Sequence, residues 1–283
     1  MKSIIKKIKS DYFEITENFV HECTNFYIIF EFYFKKLLGK YFFLKKNKNL
    51  KNIHNNKRVI IIANGPSINK FDLKKTKDDI VIMVNRSFDH PDYEIIKPNY
   101  HIIVDSKLAT GVWPFDYIDT IFKKNPNVKL ILNANWYHLE KFKKLREKSN
   151  VFWVKNKMIS LLYNNFNYNL EGLYSTLGVT GHAVSLGIYL GSKKIYILGM
   201  ELNGVIKLLN NEHSHFGGSD PDYKDYNILD WAKALGQNSR GLRTWYAYAM
   251  QCKKSNIELI NLSDEGLFNF VKKENYNELF QKD

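Results

Sequence analysis

Seven short apolar runs govern what this chain can fold into. They are Val59–Ala63, Ile80–Asn85, Tyr100–Asp105, Lys129–Ala134, Val151–Val154, Lys194–Met200 and Ile257–Ser263, and helical spacing fills the stretches between them. A strand that is apolar at consecutive positions buries both faces, which happens where helices cover both sides of a parallel sheet. The alternation therefore predicts an α/β fold with a mostly parallel sheet. Thr180–Gly191 reads as a helix closed by a glycine that feeds the strand at Lys194. Leu242–Asn256 reads as the helix before the last strand.

Ligands of open α/β sheets bind beyond the carboxyl ends of the strands. Several runs end there in polar residues: Asn64-Gly65-Pro66-Ser67, Asn85-Arg86-Ser87, Asp105-Ser106, Asn133 with Asn135, and Glu201 with Asn203. In the first cluster Gly65 lets backbone approach a ligand closely and Pro66 fixes the turn. Asn64 and Ser67 offer hydrogen bonds to a sugar or phosphate, although an unliganded strand-to-helix turn would use similar residues. The cluster is neither a GxGxxG fingerprint nor a Walker A loop. Ser175, Thr176 and Gly178 read as the opening of a helix, whose free amides suit a phosphate or are simply capped by the hydroxyls. His182, inside that helix, reads as a packed histidine.

The stretch Asn211–Tyr223 is a loop rich in His, Gly, Ser and Asp. His213 and His215 lie two apart, but no third Cys or His at a zinc spacing accompanies them, so no metal is expected. A general base on a mobile acceptor-side loop fits better, His215 first and His213 second, because histidine titrates near neutral pH. Two solvated loop histidines are the plainer alternative.

Charge separates the N-terminus from the rest. The chain of 283 residues carries a formal +13, and residues 1–58 hold 13 Lys and Arg against 5 Asp and Glu. Phe26, Phe30, Tyr33, Leu37, Tyr41 and Leu44 recur there at three- and four-residue spacing among lysines. This is the pattern of a basic aromatic helix on an anionic membrane surface, or of an amphipathic helix packed on the domain or on another subunit. A homo-oligomer is allowed. Lys45–Lys57 reads as a polar linker, giving a helical extension over 1–57 and a main domain over 58–283. Deleting residues 1–50 is then expected to release a soluble protein with its chemistry intact. Cys23 and Cys252 form no CxxC pattern, which suits a reducing cytosol. The basic start has no apolar leader core, and Cys23–Phe30 is too short to span a bilayer. The expected location is the cytoplasm, peripheral on the inner face of the cytoplasmic membrane. With positive charge confined to one terminal segment and no reader motif, nucleic acid is not an expected partner.

Taken in order, "VIIIANGPSINKFDL", "VNRSF", "TLGVTGHAVSLGIYLGSKKIYILGMEL" and "SHF" resemble the bacterial lipooligosaccharide sialyltransferases over about residues 58–270. The "GPS" turn is shared with pterin-pyrophosphokinase-like and flagellin-glycosylating proteins. The resemblance implies a Rossmann-like domain with a lid at about 202–240. It also implies inverting, metal-independent transfer of a sialic-acid-like or Kdo-like sugar from a CMP-activated donor to a surface or lipid-linked glycan, with no cofactor. It places Asn64, Gly65, Ser67, Asn85, Asp105, Thr176, Leu177, Gly178 and Glu201 at the donor. The lid departs from the family pattern, with Phe216 where a tyrosine and Ser219 where the base histidine are expected. His215 is then the candidate base, Tyr223 or Tyr226 the hydroxyl, and Arg240 or Arg243 the charge for the leaving phosphate. The alternatives are a pterin or nucleotide pyrophosphokinase-like transferase, with Asp105 and Glu201 as its only obvious carboxylates, and a noncatalytic nucleotide-binding membrane protein.

Overall fold

The computed structural model describes residues 12–55, 57–160, 166–218 and 226–281. Its centre is a nine-stranded sheet in the order β6-β5-β4-β3-β2-β1-β7-β8-β9, with every neighbouring pair parallel. The strands are β1 (Val59–Ile62), β2 (Ile80–Val84), β3 (Tyr100–Ile103), β4 (Lys129–Asn133), β5 (Val151–Met158), β6 (Leu173–Thr176), β7 (Lys194–Leu198), β8 (Glu258–Asn261) and β9 (Lys272–Lys273). The α/β expectation is met. The seven apolar runs are seven of the strands, and five of them end within a few residues of the polar clusters.

Successive side chains of a strand point to opposite faces. Ile60 and Ile62 join one core layer and Val59 and Ile61 the other. The first layer is covered by the short helices α2 (Tyr93–Ile96), α3 (Ser106–Thr110), α4 (Tyr117–Lys124), α5 (Lys143–Arg146) and α9 (Tyr276–Leu279). The second lies under α6 (Gly178–Tyr189) and α8 (Ile228–Lys254). Helix α8 starts well before the predicted helix at Leu242. Its start is fixed by a capping box: Asn227 Oδ1 accepts from the Leu229 and Asp230 amides, and Asp230 accepts from the Asn227 amide.

Two segments differ from the sequence reading. Leu173–Thr176 is a strand, paired with residues 155–158 of β5, so Ser175 and Thr176 close β6 instead of opening a helix. The switch to helix comes at Gly178, whose φ of +50° is a left-handed conformation that favours glycine. The stretch Lys45–Lys57 is no free linker. Phe42–Leu50 forms a 3-10 helix that buries Phe43, Leu44, Asn47 and Leu50. Helix α1 (Tyr12–Leu37) precedes it and packs along β5, with Phe32 in the core. Among the described residues no helix is long and apolar enough to cross a membrane.

Candidate functional site

Strand β1 pairs with β2 on one side and β7 on the other. The connections diverge there, and in open α/β sheets the carboxyl end of the strands at such a switch point is where ligands bind. The turn after β1 is fastened to β7: the Ala63 amide donates to the Leu198 carbonyl and the Gly65 amide to the Gly199 carbonyl, both at 2.8 Å. Gly65 has φ −67° and ψ 154°, which any residue can adopt. Space is what demands glycine. A Cβ at position 65 would lie 1.6 Å from Glu201 Oε2 and 2.5 Å from the Gly199 oxygen. The Ser67 amide donates to Glu201 Oε1 at 3.1 Å, and its hydroxyl meets Ser263 Oγ at 3.2 Å. Ser263 in turn accepts from the Gly199 amide at 3.0 Å. The structure thus brings Gly65, Ser67 and Glu201 together, and their polar groups clamp one another into a rigid turn.

Asn64 and Asn85, at the ends of adjacent strands, are arranged differently. The Asn64 carbonyl accepts from the Phe216 amide at 2.9 Å, which ties the His215 segment to the turn. Its side-chain Oδ1 is buried with no hydrogen-bond partner among the described residues, and so is Oδ1 of Asn85. Asn85 is held at φ +46°. His101 Nε2 lies 2.8 Å from the Asn85 carbonyl, and its Nδ1 lies 3.1 Å from the Tyr93 hydroxyl. Burial pushes His101 down to about 4. The ring is therefore neutral, with Nε2–H donating to Asn85 and Nδ1 accepting from Tyr93. A buried amide oxygen left unpaired costs about 1–3 kcal/mol. Two such oxygens on neighbouring strand ends make a pair of acceptors for sugar hydroxyls or heterocyclic N–H groups.

Helix α6 runs antiparallel to the strands: Gly187, near its end, packs on Val59 and Ile195, the opening residues of β1 and β7. Its first turn therefore lies at the carboxyl edge of the sheet. Thr176 is buried there, with Oγ1 2.7 Å from where a Cβ of Gly181 would sit. Leu177 is the N-cap, and its side chain makes no cap hydrogen bond. Asp105 caps α3, accepting from the Lys107 amide at 3.0 Å. His182 is buried beside the Tyr174 hydroxyl and pushed down to about 3, in keeping with a packed neutral histidine.

A cavity of about 330 Å³ lies between α7 (Gly204–Leu209), the His215 turn and α8. Its lining includes Leu202, Ser214, His215, Asn238 and Trp245. Ser214 is buried, and its hydroxyl has no partner among the described residues. His215 is half-buried and His213 exposed. Arg243 pairs with Glu17 of α1 at 2.6 Å and Arg240 approaches the same carboxylate at 3.8 Å. Neither lines the cavity. Tyr226 packs on Trp231 before the body of α8. Tyr223 and Ser219 lie outside the described residues. Among the described residues no three His, Cys, Asp or Glu side chains converge on a metal position. Glu201 Oε1 is engaged by the Ser67 amide, and one oxygen of Asp105 is engaged by its cap.

The model of the family described as "6-hydroxymethylpterin diphosphokinase MptE-like" matches residues 35–205. The chain belongs to the MptE-like family. A comparison with curated proteins finds no match. The family assignment overturns the resemblance to lipooligosaccharide sialyltransferases, and the glycosyltransferase activity, CMP-sugar donor and surface-glycan role drawn from it are withdrawn. The segments that carried the resemblance are the β1 turn, the end of β2 and the α6–β7 unit. They build the switch point of the sheet and lie within the matched residues 35–205. The lid, which would discriminate, already departs at Phe216 and Ser219. Sequence reasoning missed Ser263, His101, Ser214 and Trp245. Ser263 was within reach, since it closes an apolar run. The others are single residues inside helical, strand or loop stretches, and only the fold assembles them.

Proposed function

We propose that this MptE-like chain is a diphosphotransferase that moves a diphosphate from a nucleoside triphosphate to the hydroxymethyl group of a pterin-like heterocycle. The acceptor oxygen attacks the β-phosphorus, and the bond from that phosphorus to the oxygen bridging the α-phosphorus breaks. The nucleoside monophosphate leaves with that oxygen, and the hydroxyl proton passes to a base. The observation that carries the reading is the pair of unpartnered acceptor oxygens, Asn64 Oδ1 and Asn85 Oδ1, beside a turn too tight for any side chain at position 65. They suit the hydroxyls of a nucleoside or the N–H edge of a base. The first turn of α6, which its N-cap Leu177 does not cap, points amides at the same edge, where phosphate charge is favoured.

The cavity beside the turn suits the acceptor. Trp245, Ser214, Asn238 and His215 line it; in this reading Trp245 is a flat apolar wall, Ser214 and Asn238 make polar contacts, and His215 takes the hydroxyl proton. A magnesium ion travelling with the nucleotide would keep several waters and be held by the phosphates with one or two carboxylates; the residues named here bind and orient the substrates. The test is to incubate the full chain with 6-hydroxymethylpterin, ATP and magnesium and to follow AMP and the diphosphorylated pterin. We expect equimolar products, a fall in kcat of about a hundredfold or more for His215→Ala, and a raised KM for nucleotide in Asn64→Ala. Failure of the chain to bind a nucleoside triphosphate, or to release AMP with any hydroxymethyl heterocycle, would overturn the reading.

A further inference from the structure

Helix α1 seats a mixed face on the domain: Phe32 enters the core with Ile28 and Ile29 packed against it, and polar side chains of the same side bond to the body. Asn25 is buried and its Oδ1 accepts from the Met158 amide at 2.9 Å. His21 lies 2.7 Å from the Ile159 carbonyl, and Glu22 accepts from Ser160 at 2.9 Å. Glu31 pairs with buried Lys155, and Glu17 with Arg243. The outward side carries Phe19, Phe26, Tyr27, Phe30, Phe34 and Leu37, all exposed, Leu37 by 85%. At 100° per residue these six fall within about one quarter of a turn. They form a continuous aromatic stripe roughly 27 Å long at 1.5 Å per residue. Monomeric soluble proteins rarely leave such a strip open, and it marks a docking surface.

Charge identifies the occupant. Each acid from Glu17 to Glu31 on this helix is engaged on the inward side. Where the stripe ends, Lys36, Lys40, Lys45 and Lys48 are exposed around Leu38 and Phe42, two further exposed apolar side chains. Basic groups flanking an aromatic strip complement a lipid surface carrying anionic headgroups, into which the rings sink to the acyl boundary while the lysines stay among the headgroups.

We propose that the outward face of α1, with the Leu38–Phe42 turn, docks this protein flat onto an anionic lipid surface. This inference does not rest on the diphosphotransferase reading. The test uses the full chain and sucrose-loaded vesicles of phosphatidylcholine alone or with 30 mol% phosphatidylglycerol as about the level that gives a strongly negative surface. We expect sedimentation with the anionic vesicles, weakened by salt, at least tenfold weaker in F26S/F30S/L37S, and severalfold weaker in K36Q/K40Q/K45Q. These positions are exposed, so both variants should keep the wild-type unfolding midpoint. Cys23 gives an independent readout, because it is exposed while Cys252 is buried and pushed up to about 12. A polarity-sensitive thiol dye on Cys23 should shift blue when anionic vesicles are added. The proposal is overturned if the chain ignores anionic vesicles or if F26S/F30S/L37S binds like wild type. It is equally overturned if the dye shifts with protein concentration alone, which would assign the stripe to a second copy.

Discussion

Two buried histidines set how single residues respond to pH. His101 fixes the carbonyl of Asn85, and His182 fills the layer under α6 beside Tyr174. Burial depresses both in the folded chain, to about 4 and about 3, against about 6.5 in the unfolded chain. Below pH 6.5 the unfolded state therefore binds protons that the folded state does not. The stabilisation is complete above that pH and is lost as pH falls toward the folded values. Each histidine contributes about 1.4 kcal/mol per pH unit inside its window. We expect the unfolding free energy from urea titrations to fall between pH 6 and pH 4.5, and His182→Gln to lose about that much slope. An unchanged slope in the variant would show that His182 is not a buried neutral group. Neither effect was legible from the sequence beyond the expectation that His182 is packed. His101 sits within an apolar strand run, and its role appears only once β3 lies beside β2.

At the scale of elements, the strands were legible and their attachments were not. Consecutive β-branched and aliphatic residues leave a strand no polar face, so the seven runs announced a buried parallel sheet. The connection between α1 and the sheet was hidden because much of it is made by polar residues beside Phe32. Asn47 is the sharpest case. It lies in a run of lysines and asparagines that reads as solvated linker, yet it is fully buried, and its Nδ2 donates to the Trp153 carbonyl at 2.7 Å and the Leu170 carbonyl at 2.6 Å. One amide thus links the 3-10 helix to β5 and to the segment leading into β6. Composition cannot distinguish such an asparagine from a solvated neighbour, because the difference lies in which carbonyls come within reach. Asn47→Ala leaves two buried carbonyls without this donor, and we expect it to cost about 2 kcal/mol, read as a lowered urea midpoint with unchanged m-value. A surface-like change below about 0.5 kcal/mol would sink the assignment. The same logic covers the candidate site. Asn64 and Asn85 were found by their place after a strand, whereas the cavity residues are spread over a turn and a long helix whose start was not foreseen.

For the molecule as a whole, the question is whether the N-terminal segment is an appendage or part of the body. Read as sequence, residues 1–50 are a detachable basic anchor. In the folded chain Phe32, Phe43, Leu44 and Leu50 stand in the two core layers, and the family match itself begins at residue 35. Burying each such side chain stabilises by about 1.5–3 kcal/mol, so losing four removes an amount comparable to the about 5–15 kcal/mol that holds a typical domain folded. The loss also uncovers β5, whose Met158 amide and Trp153 carbonyl bond to Asn25 and Asn47. We therefore expect a fragment of residues 51–283 to lack a cooperative unfolding transition and to be recovered as aggregate. A soluble fragment with a sharp transition would show that the core closes without the segment. This bears on how membrane docking can be probed. Deletion would remove the lipid-facing stripe and the fold together, whereas exchanging Phe26, Phe30 and Leu37 alters only the outward face, because the groups that hold α1 in place all lie on its other side.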